Sequence, residues 1–281
     1  MSTPEVEAHE VDFPDARDEA EDLEDLIAIE LDNLAMVPDN LGAAFDHALV
    51  LLGLRFALGS PNEQSLAALR LVCDIGVALF QRARVERNQR VSLSIAGTSY
   101  EVPGGNSYYH RAPRWGLAVG AAMTLRDARA LEDLCRFEVR GFGGSYDAFH
   151  DRYAEAVMAF VAGQDCSALL DAATVAAERA EAFPERGLRL GVPLLRVVRA
   201  VLQGDAAAYN ERLAEALTWY RTLYNRPPDK QDASGVVPLR YLGWCALAHN
   251  RGLSCTVKSD YLPTWLVEGA LPGASGVVAK M

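Results

Sequence analysis

Long hydrophobic runs are missing from this 281-residue sequence, although half of its residues are hydrophobic. No stretch reaches the roughly 18 uninterrupted apolar residues that read as a membrane-spanning helix, so we expect no membrane contact. The first ten residues lack both a basic start and an apolar run, which predicts no signal peptide and a soluble, cytoplasmic protein. The five cysteines are scattered and none forms a CxxC pair, which favours reduced thiols, mostly in the core.

Recognisable catalytic and cofactor motifs are also missing. The sequence contains no GxGxxG, P-loop, HExxH or GxSxG motif. A metal site needs at least three converging ligands, and no two histidines share a predicted helix face. We therefore expect no cofactor, no metal and no enzymatic activity. The histidines are His9, His47, His110, His150 and His249.

Negative charge is concentrated at one end of the chain. The net charge is -11, and residues 1–32 hold 13 of the 38 acidic residues but one of the 27 basic residues. Two interpretations stay open: a solvated tail that confers solubility, or an arm that meets a basic surface of a partner. Because phosphate binding requires a clustered basic face, which this sequence does not show, we expect no nucleic-acid partner.

An amphipathic helix is predicted at the end of this acidic segment. Between Leu23 and Leu34, apolar residues recur at three- and four-residue steps, so we expect a helix that begins near residue 23. We divide the chain into an acidic N-terminal arm (1–32), a helical domain (33–268) and a flexible tail (269–281). The acidic residues predicted to form a partner-binding charge patch are Asp18, Glu21, Asp22, Glu24 and Asp25.

The rest of the chain is predicted to be helical, with one small β-hairpin near 91–102. Apolar periodicity predicts helices at about 41–58, about 61–86 and about 107–124. Ser60 and Glu63 are spaced as in a capping box, which predicts that Ser60 caps the second of these helices. Alternation of apolar and polar residues around Ala96-Gly97 predicts the hairpin.

Beyond the hairpin, a helix–turn–helix pattern occurs three times. The turns contain Asp127, Asp165 and Asp205, which are spaced about 40 residues apart. In the last two turns Gly ends one helix and Asp is predicted to cap the next. Stacked antiparallel helix pairs produce such a period, although unrelated hairpins do so by chance as well. Both interpretations predict an all-α fold of antiparallel helical hairpins in one domain, with the small β-hairpin as its β-structure.

Two aromatic clusters are candidate contact sites for a partner. Tyr108, Tyr109 and Arg111 combine residue types that dominate binding energy at interfaces. Alternatively, Tyr109 and the nearby Trp115 pack into the core. The second cluster is Asp260-Tyr261, for which the alternative is structural, with Asp260 capping a short helix around Trp265.

The C-terminal residues resemble the end of the immunity protein 49 family, which occurs in bacterial polymorphic toxin systems. The resemblance is carried by Tyr241–Gly252 (YLGWCALAHNRG) and above all by the SDYLP stretch at 259–263. Tyr108-Tyr109 before Trp115, the predicted helix over 146–153, and Gly204-Asp205 are similar to features in the middle of the family. The resemblance spans about residues 40–268, and the acidic segment before about residue 30 does not match.

The resemblance implies an immunity protein that binds and neutralises a cognate bacterial toxin in a stoichiometric complex. Such toxins are often nucleases, and the basic surface of a nuclease would attract an acidic arm. An alternative function is a helical-repeat scaffold that binds another protein or a peptide. A third, an enzyme, requires His110 and His150 to converge with an acidic side chain in a cleft.

Overall fold

The computed structural model describes residues 4–11, 13–143, 147–227 and 229–271. Its fold is all-α with one two-stranded sheet, as the sequence predicts. The helices are α1 (Ala16–Asp32), α2 (Asn40–Ala57), α3 (Asn62–Ala83), α4 (Ala112–Leu125), α5 (Ala128–Cys135), α6 (Ala148–Val161), α7 (Ser167–Glu178), α8 (Pro184–Arg186), α9 (Val192–Gln203), α10 (Ala206–Tyr224), α11 (Leu239–Asn250) and α12 (Thr264–Val267). The strands are β1 (Arg90–Ile95) and β2 (Thr98–Pro103).

Helix α1 begins at Ala16, and the predicted start near residue 23 is therefore wrong. Ala16 and Ala20 extend the buried face by two turns before Leu23, and both are at most 5% exposed. Alanine contributes little to an apolar pattern but has the highest helix propensity, so these turns are helical without a visible hydrophobic stripe. The buried face, completed by Ile27 and Leu31, packs against α2.

Helix α3 begins without the predicted capping box. Pro61 occupies the N-cap position, and no side chain caps the helix. The Pro61 carbonyl instead accepts hydrogen bonds from the backbone N–H groups of Gln64 and Ser65, at 2.9 and 3.2 Å. The prediction that Ser60 is the cap is therefore wrong, because the helix starts one residue later than a Ser60 cap requires.

The β-hairpin follows α3 where alternation predicted it. β1 and β2 pair in antiparallel register from Arg90–Pro103 to Ile95–Thr98. Ala96 and Gly97 both have positive φ, 49° and 80°, which is the geometry of the tight turns that match strand twist. The Asp74 carboxylate on α3 accepts a 3.0 Å hydrogen bond from the Ala96 N–H and holds the turn in place.

The centre of the core is a close crossing of α4 and α11. A Cβ atom at Gly120 would lie 2.6 Å from the carbonyl oxygen of Leu239. A Cβ atom at Gly243 would lie 2.9 Å from the carbonyl oxygen of Gly120. The two backbones can therefore approach only because both positions are glycine. The α4 helix begins at Ala112 rather than near 107, and Pro113 suits its first turn.

Antiparallel hairpins complete the fold, with α6 packed on α7 and α9 on α10. Asp205 caps α10 as predicted, accepting a 2.9 Å hydrogen bond from a backbone N–H group, and Asp127 caps α5 in the same way. The prediction that Asp165 caps α7 is wrong, since Cys166 is at the N-cap and Asp165 accepts hydrogen bonds from Ser167 in a local turn. The predicted helix from 146 begins at Ala148, and residue 146 lies outside the described residues.

The N-terminal segment is bound to the C-terminal segment. Glu5 and Lys258 form a parallel β-bridge. The hydroxyl of Tyr261 accepts a 2.9 Å hydrogen bond from the backbone N–H of buried His9 and lies 2.6 Å from its Nδ1. Asp260 does not cap α12, because Pro263 occupies that N-cap. Most of the predicted flexible tail (272–281) lies outside the described residues.

In the described part of the chain, none of the helices combines the length and the apolar character needed to cross a membrane.

Candidate functional site

The outer face of α1 carries the predicted charge patch. Asp18, Glu21, Asp22, Glu24 and Asp25 are all exposed. Within the described structure, the ion pairs of α1 are made by Glu24, whose carboxylate lies 2.6 Å from the Arg55 guanidinium, and by Glu30, which lies 3.0 Å from His47 Nδ1. The remaining four acids of the patch therefore present negative charge to solvent without a neutralising partner among the described side chains.

Apolar side chains are exposed next to this charge. Leu26 and Ile29 on α1 are 39% and 59% exposed, and Met36 in the following turn is 77% exposed. Ile29 lies four residues after Asp25, so the two side chains share one face of the helix. Exposed apolar side chains among charged residues are typical of protein contact surfaces, because their burial on binding releases water.

The acids that precede α1 pair with the body of the protein. The carboxylates of Glu7 and Glu10 lie 3.2 and 3.0 Å from the side-chain nitrogens of Arg221 and Lys230. The Lys230 ammonium also lowers the pKa of Glu10. The acidic segment is therefore divided into a part bound to α10 and its following loop, and the outward-facing patch on α1.

The Tyr108–Arg111 cluster is a turn before α4 and is part exposed, part buried. Tyr108 is 60% exposed and the guanidinium of Arg111 lies 3.7 Å from its ring centroid. Tyr109 is half-buried, and its ring fills the space left by Gly42 on α2. Trp115 is fully buried and its Nε1 donates a 3.0 Å hydrogen bond to the Leu134 carbonyl, so Trp115 belongs to the core.

The structure does not bring the cluster and the acidic patch together. Helix α1 contacts α2 along the side that carries His47 and Arg55. Tyr109 and Arg114 contact α2 at Gly42 and Asp46, on roughly the opposite side at about 100° per residue. The acidic patch and the Tyr108–Arg111 cluster therefore lie on different sides of α2.

Asp260 and Tyr261 differ in how much of each side chain is exposed to a partner. Asp260 is exposed, and it lines a small depression together with Phe56, the neighbour of Arg55 on α2. It therefore lies at the same end of α2 as Glu24. Tyr261 is 2% exposed and its hydroxyl is bonded to His9, so in this structure its side chain is a core residue and not a surface contact.

A cavity of about 330 Å³ lies between α11, the α7–α9 region and α6, and sequence reasoning missed it. Its polar lining includes His150, Arg240 and the tyrosines Tyr220, Tyr224 and Tyr241. The segment Gly187–Gly191, directly before α9, forms a π-helical turn that contributes to the wall of the cavity. Such turns are frequent at functional sites. The lining residues come from distant parts of the chain, so no local pattern signals the cavity.

His110 and His150 lie in separate environments in the described structure. His110 is fully buried: its Nε2 lies 2.9 Å from the Leu79 carbonyl oxygen, and its Nδ1 accepts a 2.7 Å hydrogen bond from the Ser107 N–H. Burial lowers its pKa. His150 lines the cavity and makes no described contact with His110. Over the described residues, no three His, Cys, Asp or Glu side chains are placed to hold a metal ion.

Comparison with protein families gives one match. The model of the family described as immunity protein 49 matches residues 59–266, about three quarters of the chain. The match begins at α3, so α1 and α2 lie outside it. No curated protein and no solved structure matches. From the extent of the family match, together with the all-α fold, the chain belongs to the immunity protein 49 family.

Proposed function

We propose that this protein neutralises a cognate bacterial toxin by binding it in a stoichiometric complex in the cytoplasm. Membership of the immunity protein 49 family is the observation that carries the proposal. A toxin with an intracellular target has to be met inside the producing cell, which is the reason for the proposed location. Because inhibition by binding requires shape and charge complementarity rather than reactive groups, the protein needs no catalytic residues for this task.

The proposed contact is the outer face of α1, with the exposed Asp260 at its margin. Two observations support this choice: four unpaired acids, and the exposed Leu26 and Ile29 beside them. Charge speeds the encounter of two proteins, whereas apolar burial slows their dissociation. A face that offers both is suited to the fast and tight binding that protection from a toxin demands.

The position of α1 outside the family match supports a role in partner choice. Residues 59–266 provide the part of the fold that the family shares, and α1 is added to it through its contacts with α2. An added element can differ between members without disturbing the common core. We therefore assign recognition of the particular toxin to α1, and the exposed Tyr108 with the half-buried Arg111 to a second, separate contact.

A nuclease is the toxin class that this surface suits best. Nucleases bind phosphates through clusters of Lys and Arg, and such a cluster is complementary to the unpaired acids of α1. An acidic helix placed over that cluster would compete with the nucleic acid for the same charges. A toxin with a neutral or acidic active surface would not gain from the acidic patch.

Growth rescue with the product of the adjacent gene tests the proposal. We expect that induction of this toxin candidate stops growth, that co-expression of the present chain restores it, and that the two proteins purify together. Absence of rescue with a toxin that is active on its own would contradict the proposal. Absence of rescue together with tight binding to an unrelated protein would instead identify a helical scaffold.

A further inference from the structure

The cavity beside α11 is lined by a half-buried arginine, Arg240, that has no carboxylate partner among the described residues. Arg240 lines the cavity, and one of its five N–H donors makes a described hydrogen bond, from Nη2 to the Pro113 carbonyl oxygen at 2.9 Å. Its Nε is buried and has no hydrogen-bond partner among the described residues. Of the carboxylates that the structure describes, none lies within ion-pair distance of the guanidinium.

The position of Arg240 in α11 adds to this imbalance. Arg240 is the second residue of a 12-residue helix, and no side chain caps that helix. The partial positive charge of a helix N-terminus disfavours a second positive charge beside it, and it favours an anion. Residues 237–241 all line the cavity, so the start of α11 and Arg240 border the same space.

Two other charged residues line the cavity, Asp147 and Arg186, and the guanidinium of Arg186 is paired with the Asp229 carboxylate at 2.7 Å. Burial, and to a smaller extent the positive charge of Arg240, lowers the pKa of His150 to about 3. The buried Nδ1 of His150 has no described hydrogen-bond partner. Asp147 is the one acid among the lining residues, and its Oδ1 is occupied by the backbone N–H of Ala182 at 3.1 Å. Among the described residues, no lining carboxylate forms an ion pair with Arg240, so its guanidinium is available to a ligand.

The remaining lining decides the class of ligand. Most of the wall is apolar or aromatic, with side chains such as Phe149, Leu194 and Tyr220. One guanidinium balances one negative charge and presents a planar fork that fits a carboxylate. A volume of about 330 Å³ is at the small end of ligand-binding cavities. A phosphate dianion would require a second unpaired cation, whereas the other lining arginine, Arg186, is paired with Asp229, and a phosphate would leave the apolar wall unused.

We propose that the cavity binds a small organic carboxylate, with the carboxylate on Arg240 and an apolar body against the aromatic wall. The carboxylate of the ligand would form the ion pair that Arg240 lacks within the described protein. It would also accept hydrogen bonds from the unpaired nitrogen groups of Arg240 and His150. The cavity lies apart from the outer face of α1, so this site does not depend on toxin binding.

Calorimetric titration with benzoate and benzamide tests the proposal on the unmodified protein. The two probes share a ring and differ in charge. We expect benzoate to bind at least about tenfold more tightly than benzamide, a difference of about 1.4 kcal/mol. Equal affinities, or no detectable heat from benzoate up to its solubility limit, would overturn the proposal.

Two variants then locate the site. In Arg240→Gln we expect at least about a tenfold loss of benzoate affinity, whereas Arg199→Gln, which removes a surface arginine of α9, should bind benzoate as the unmodified protein does. Unchanged benzoate affinity in a folded Arg240→Gln protein would exclude the cavity as the site. If this variant does not fold, ring-current shifts of the Tyr220 and Tyr241 resonances on adding benzoate to the unmodified protein decide, and their absence counts against the proposal.

Discussion

Reversal of three charges on α1 is the most incisive perturbation of the proposed toxin contact. Asp18, Asp22 and Asp25 follow one another at steps of four and three residues, so they form one stripe of the helix. All three are exposed and have no described ion-pair partner, so their replacement by lysine leaves the packing of α1 on α2 unchanged. Glu24 is left in place because its bond to Arg55 joins the two helices.

The expected loss of affinity follows from the exposure of these carboxylates. An exposed ion pair contributes about 0.2–1 kcal/mol, and reversal replaces attraction with repulsion of similar size. Three reversals therefore reduce the binding free energy by about 1–6 kcal/mol. A value near the middle, about 3 kcal/mol, raises the dissociation constant about 100-fold. Because exposed charges act mainly during encounter, much of this loss should occur in the association rate.

The assay is the association rate of toxin and variant, measured by stopped flow at low and at high salt. The matched control is Glu101→Lys, Glu132→Lys and Glu178→Lys, which changes the net charge equally at exposed positions on other elements than α1 and α2. We expect the α1 variant to associate more slowly than the control at low salt, and the difference to shrink near 1 M salt, where the Debye length is about 3 Å. Equal rates for the two variants at low salt would refute the assignment of the contact to α1.

Three further predictions concern the fold itself. Gly120→Ala should destabilise the protein by about 1–3 kcal/mol through overpacking. The control Gly143→Ala, whose Cβ atom would make an ordinary 3.6 Å contact, should change stability little. Urea unfolding of both variants measures the difference. Tyr261→Phe leaves the buried His9 N–H without its acceptor and should cost about 1–3 kcal/mol in the same assay, and an unchanged midpoint would show that the N-terminal segment is not held by this bond. The pKa of His150 is lower in the folded than in the unfolded state, so the unfolded state binds more protons below about pH 6.5. As the pH falls below that value, the free energy of unfolding should decrease by up to about 1.4 kcal/mol per pH unit. His150→Gln should flatten this pH dependence, and equal slopes for the variant and the parent protein between pH 7 and 5 would contradict His150 as its cause.

Local patterns in the sequence predicted most of the secondary structure. The β-hairpin and the cap by Asp205 were predictable because each depends on residues within one turn or one strand pair. The early turns of α1 were missed because their buried residues are alanines, which are invisible in a hydrophobic pattern. The capping box failed because Pro61 itself took the cap position.

Contacts between distant residues were not predictable from local patterns. The exposure of the acidic patch could be predicted because its residues lie on the polar face of an amphipathic helix. The burial of Tyr261, by contrast, depends on His9, 252 residues away in the sequence. The cavity is likewise built from α6, the π-helical turn, α10 and the start of α11. Arg240 gives no sign of its unpaired state in the sequence, since the missing carboxylate is a property of the assembled wall.

Titration of toxin activity against increasing amounts of this protein tests the central claim most directly. If the protein acts by forming a tight complex, residual activity should fall linearly and reach its minimum at one equivalent, independent of incubation time. Progressive inactivation of the toxin by amounts far below one equivalent would show turnover, and it would contradict an account based on binding alone.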